Sequence, residues 1–175
     1  EPARNADLYL ANAMPPISVG SAVFRMSAVE TIRFPEEIGL DEDTWFWAAL
    51  LATGPVACTH EPVLRYYLDQ QRTAQRFLDR PLETWAAISK IFMRLEQIGL
   101  DADVLAWRRA WLAQRFARQL VKNGRFAEAD IMLAEVRKDP GLRREWRTLR
   151  YTVRSAIGRR QQARGGKQPG KGSKG

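Results

Sequence analysis

Three carboxylates in a row, Asp41, Glu42 and Asp43, stand just before an aromatic run, Trp45-Phe46-Trp47, and just after an acidic loop containing Glu36 and Glu37. Carboxylates grouped in this way can do three things. They can cap a helix and complement its positive end, ligate a divalent cation, or take a proton from a hydroxyl. On a helix that begins at Glu42, Asp43 falls in the first turn, with Phe46 and Trp47 one turn away at i+3 and i+4. Two further positions are of interest. Gly20-Ser21 interrupts an apolar run, where a backbone can approach a ligand or another backbone closely. His60, just before Glu61-Pro62, is the sole His, and with the sole Cys, Cys58, two residues before it falls short of a zinc ligand set, so it fits a solvated loop residue better than a ligand.

Elements must position these residues, and the local pattern supplies them. Ile17 to Met26 reads as a strand, and Ser27 caps a short helical turn through Ile32. Phe34-Pro35 breaks the chain, Asp41 is a good N-cap for a helix from Glu42 to about Ala52, and Gly54-Pro55 closes it. Val56 to Thr59 and Val63 to Tyr67 read as two short strands. Beyond Leu78 the period changes to helical. Leu82, Trp85, Ile88, Phe92 and Leu95 recur at intervals of three and four until Gly99, Asp103 to Lys122 carries two apolar rows, and Phe126 to Arg137 carries one. Asp139-Pro140 then precedes a fourth helix to about Ile157. The six Trp fall mostly at helical spacing and read as core.

In this order the residues resemble the acceptor-binding half of family 2 glycosyltransferases of the GT-A fold. Those enzymes show a strand ending in Arg, a short helix, a Phe followed by an acidic residue, a Glu-Asp pair opening a helix with an aromatic face, and a strand leading to a Tyr-rich segment. Here the set is Val23-Phe24-Arg25, the turn at Ser27, Phe34 with Glu36 and Glu37, Glu42-Asp43, Trp45-Phe46-Trp47 and Val63-Leu64-Arg65-Tyr66-Tyr67. The resemblance covers about Met14 to Phe77. It implies an α/β fold, the C-terminal half of a GT-A-type domain over residues 1–78, followed by an α-helical subdomain over 79–157 and a disordered basic tail over 158–175.

The resemblance also implies an activity, the transfer of a sugar from a nucleotide-sugar donor to a hydroxyl of a glycan or lipid-linked acceptor, with inversion, as in polysaccharide biosynthesis. Asp43 takes the place of the general base, and Glu42, Gly20, Ser21 and Trp47 become candidates for the acceptor site. A divalent metal, Mg or Mn, is expected with the donor, but its Asp-X-Asp motif follows a strand in the family, whereas Asp41-Glu42-Asp43 opens a helix. The donor-binding half is therefore expected in a preceding segment. The loop after the Tyr-containing strand, Tyr67-Leu68-Asp69-Gln70-Gln71-Arg72-Thr73, lacks the family's His and the Gln-X-X-Arg-Trp motif, which favours non-processive transfer. The rival expectation, from the helix-rich second half, is a non-enzymatic helical interaction module.

Composition bounds all of these readings. With 45% hydrophobic and 27% charged residues among 175, the chain can bury a real core. The single Cys58 excludes an intramolecular disulfide and fits a reducing, cytoplasmic setting. Six of the 28 basic residues lie in 158–175, so the net charge of +8 is concentrated at the end of the chain. That placement disfavours nucleic acid as the partner of the folded part and makes an anionic membrane surface a candidate for the tail.

Overall fold

The computed structural model describes residues 2–13, 17, 22–35, 42–55, 57 and 77–165. The regular elements among them are helical: α1 (Pro2–Leu10), a 3-10 turn (Met26–Val29), α2 (Glu42–Leu51), α3 (Pro81–Gln97), α4 (Ala102–Lys122), α5 (Phe126–Val136), α6 (Pro140–Arg144) and α7 (Trp146–Gly165). There is no strand among the described residues, so the α/β fold expected from the sequence is overturned.

The reason is visible at residues 22–25. A strand requires a neighbour to pair its backbone, and this stretch runs as irregular chain into the 3-10 turn, with Val23 fully exposed. Its apolar content goes elsewhere: the Phe24 ring meets Phe46 and Trp47 edge-on. The short turn begins at Met26, one residue before the expected cap Ser27, with no side-chain cap at its start. The expected strand at Val63 to Tyr67 lies outside the described residues, as do Gly20, Ser21, Asp41, Cys58 and His60.

The helical half follows its sequence signals closely. Pro81 opens α3 at its first turn. Asp101 caps α4, its carboxylate accepting from the backbone N–H groups of Asp103 at 2.8 Å and Val104 at 3.0 Å. Asp139 does the same for α6 through Leu142 N–H at 2.8 Å. Three helices end on one device, a left-handed residue at C′ with paired backbone bonds back into the last turn. The left-handed residues are Asn12, Gly99 and Gly124, at φ 58°, 86° and 71°. After each, the next N–H returns to a carbonyl five residues back: Ala13 to Leu8, Leu100 to Leu95 and Arg125 to Leu120. Buried Leu95 and Leu100 sit at the two ends of the second of these bonds.

The chain forms two compact units, divided inside α4 between Arg109 and Ala110. In the first unit α1 packs on α2 and α2 meets α3. Asp7 accepts from Asp101 N–H at 3.2 Å, and Arg108 donates to the Asn12 side chain at 2.8 Å, so α1 is tied to the start of α4. In the second unit α7 lies along α5 and touches α6. Its helix runs eight residues past Ile157, so the basic stretch begins on ordered helix.

Polar groups lock this second packing. The Gln114 amide donates to Thr148 Oγ1 at 2.9 Å and to Glu145 at 3.1 Å. Buried Ser155 donates to Asp130 at 2.7 Å, with the Phe126 carbonyl at 3.1 Å as the alternative acceptor. Arg159 pairs with the same Asp130.

Candidate functional site

α2 is apolar on nearly all sides, and a helix of that kind belongs in a core. Phe46, Trp47, Ala48, Ala49 and Leu51 are all buried. Phe46 and Trp47 share a cluster with Val29, with Tyr9, Ile17, Ala22, Ile32, Trp45 and Leu50 packed around it. Polar character is confined to the helix start. There Asp43 is exposed in the first turn, while Thr44 beside it is buried. The core thus grips the body of the helix and leaves the carboxylate at the surface.

Aromatic geometry sets the surroundings. Phe34 stacks on Phe46 with centroids 4.2 Å apart and planes 8° off parallel. Phe46 and Trp47 meet edge-to-face at 5.0 Å, and Phe24 stands edge-on to both, at 5.9 and 6.4 Å. Phe24 and Phe34 are each 40% exposed, so they form the rim of the cluster, while Trp47, at 2%, is its floor. Among the described residues the buried Trp47 Nε1 has no hydrogen-bond partner. This costs stability, because a buried donor loses its water without replacement.

A second set of bonds links α2 to the segment around Arg33. Trp45 Nε1 donates to the Arg33 carbonyl at 3.0 Å. The Arg33 guanidinium donates to the carbonyls of Val29 at 2.6 Å and Ile32 at 2.9 Å. Arg33 therefore closes its own turn back onto Val29 and Ile32, and Trp45, in the first turn of α2, is bonded to that turn. Sequence reading did not single out Arg33, since a basic residue between two apolar ones carries no periodic signal.

The sequence-derived candidates are placed as follows. Asp43 is at the surface, Trp47 is in the core, and Glu42 opens α2 with its side chain outside the described part. Phe34, Trp45, Phe46 and Trp47 are brought together, and Phe24 joins them. Among the described residues no group of three His, Cys, Asp or Glu side chains is placed to hold a metal ion. Nor is any helix there long and apolar enough to cross a membrane. Compared with protein-family models, with curated proteins and with solved structures, the chain matches none.

Proposed function

We propose that this chain supplies the acceptor side of an inverting, nucleotide-sugar-dependent glycosyltransferase, with Asp43 as general base. The observation that carries the reading is the exposed Asp43 carboxylate at the start of a helix whose body is clamped by Phe24, Phe34, Phe46 and Trp47. These aromatic residues belong to the same ordered set in the sequence that resembles family 2 enzymes. The reading rests on those residues and their packing, and on no sheet.

The chemistry asked of Asp43 is one proton transfer. As the acceptor hydroxyl oxygen forms its bond to the anomeric carbon, the carboxylate takes the hydroxyl proton. The nucleoside diphosphate leaves from the opposite face with the electron pair of its bond to that carbon. A carboxylate held on a rigid helix start suits this step, because positioning the base within hydrogen-bond reach of the hydroxyl is most of what it must do. The partially exposed rings of Phe24 and Phe34 offer the apolar surface on which a sugar face can rest. Expected partners are a nucleotide-sugar donor, bound by other parts of the full-length protein, and a glycan or lipid-linked acceptor.

The test is the product itself. The full-length protein, incubated with a panel of nucleotide sugars, should release nucleoside diphosphate and give a glycoside of inverted anomeric configuration by NMR. A retained configuration would refute the single displacement. A second reading, a helical interaction module without activity, is favoured by the all-helical structure of the described residues. Absence of transfer to any acceptor, together with stable complex formation, would select it.

A further inference from the structure

We propose that the outward face of α7 docks on an anionic lipid surface, as an interfacial helix lying in the plane of the headgroups. Leu149, Val153 and Ile157, spaced four residues apart on one side of the helix, are 56%, 56% and 50% exposed. The opposite side is fully used inside the unit: Thr148, Ser155 and Gly158 are buried, and Ser155 and Gly158 meet Asp130 and Phe126 of α5. An aliphatic row of this length on a helix already packed on its other face is not needed for the fold.

Charge identifies the occupant. Exposed Arg150 and Arg154 flank the row on one side and exposed Arg160 continues it toward the C-terminus. From Trp146 to the end the sequence holds nine basic residues and no acidic one, against 19 basic and 20 acidic residues before it. Arg159 pairs with Asp130, and Arg150, Arg154 and Arg160 are exposed. A protein partner would have to be uniformly acidic around an apolar groove. Nucleic acid would meet the arginines, but would leave the aliphatic row in water or against phosphate. A leaflet with anionic headgroups over acyl chains satisfies both features at once, the row entering the acyl boundary and the arginines staying at the phosphates. The helix is not apolar enough to cross the bilayer, which fits a helix that lies on it. This inference does not depend on whether the chain transfers sugar.

The experiment is co-sedimentation of the full chain with vesicles of phosphatidylcholine alone and of equimolar phosphatidylcholine and phosphatidylserine. Binding to the anionic vesicles only, weakening with added salt, is expected. Leu149→Ser with Val153→Ser and Ile157→Ser should lower that binding on the order of tenfold or more, since three exposed aliphatic side chains lose their transfer into the acyl region. Arg150→Gln with Arg154→Gln should lower it by a similar factor, at about fivefold per charge. Truncation after Gly165 should leave most of the binding in place. The substituted positions are exposed, and circular dichroism checks that each variant folds. Unchanged binding by the triple serine variant, loss of all binding on truncation alone, or binding to duplex nucleic acid with none to anionic vesicles would each overturn the proposal.

Discussion

Asp43 and Trp47 stand four residues apart on α2, and the fold treats them oppositely: one is exposed, the other almost wholly buried. Trp47 therefore serves as a structural floor beneath the aromatic rim. Replacing it with Ala should cost about 3–5 kcal/mol, the usual range for removing a large buried aromatic. Trp47→Phe should cost far less, within about 1.5 kcal/mol, because the lost volume is partly offset by removing a buried donor that no described residue accepts. Chemical denaturation of both variants measures this. If the two variants lost equal stability, the indole N–H would be contributing a bond of its own.

At the scale of elements, α5 and α7 are fitted to each other through Gly158. A Cβ there would stand 2.1 Å from Cζ of Phe126. Alanine ordinarily favours a helix over glycine by about 1 kcal/mol, but the overlap with a stiff ring outweighs that gain. Gly158→Ala should therefore destabilise the second unit by about 1–3 kcal/mol, read as a lower melting temperature. A higher melting temperature would mean that the ring simply turns aside.

The first turn of α5 makes a separate prediction through Glu128. Burial pushes its carboxyl up, but the side-chain bond from Arg125 at 2.5 Å, a backbone bond and the Arg125 charge together outweigh it. The net result lies below the ordinary carboxylate range. A carboxyl lowered by folding stabilises the protein above its unfolded value, about 4.3 for Glu, and loses that contribution as pH falls through the folded value. The gap in melting temperature between wild type and Glu128→Gln should hold steady from neutral pH down to about 5 and close under more acid conditions. A gap independent of pH would show that the pair acts through packing alone.

These elements also show what could be read from the sequence. The helices α3 to α6 announce themselves by the apolar spacing of α3 to α5, by Pro81 at the start of α3, by Gly99 after it and by Asp139-Pro140 at the start of α6. Such signals are local, so a single chain carries them in full. The expected strand at residues 17–26 had no comparable warrant, because whether an apolar stretch pairs or packs depends on distant partners, and Phe24 found its partners on α2. α1 passed unnoticed, although Ala6 and Leu10, both buried, have helical spacing and Pro2 suits a first turn. Within the site, the helix start at Glu42 and the aromatic run were legible. The clamp made by Arg33 and Trp45 was not, since a lone basic residue between two apolar ones carries no periodic signal.

On the scale of the whole molecule, the proposed base and the proposed lipid-facing helix lie in different units. The first unit carries the carboxylate and its aromatic setting, and the second carries α7 and the basic end of the chain. Substitutions on α7 should therefore alter attachment to anionic vesicles without altering the rate of any sugar transfer, and substitutions at Asp43 should do the reverse. The most direct measurement of the central claim is single-turnover sugar transfer by the full-length protein carrying Asp43→Asn, with circular dichroism and donor binding followed in parallel. Asn keeps the size and much of the polarity of Asp but cannot take the proton. Transfer should fall by a factor on the order of 10² to 10⁴, with fold and donor affinity unchanged. Near-normal transfer, or a loss that merely tracks a lower melting temperature, would make Asp43 a helix-start residue and contradict the account.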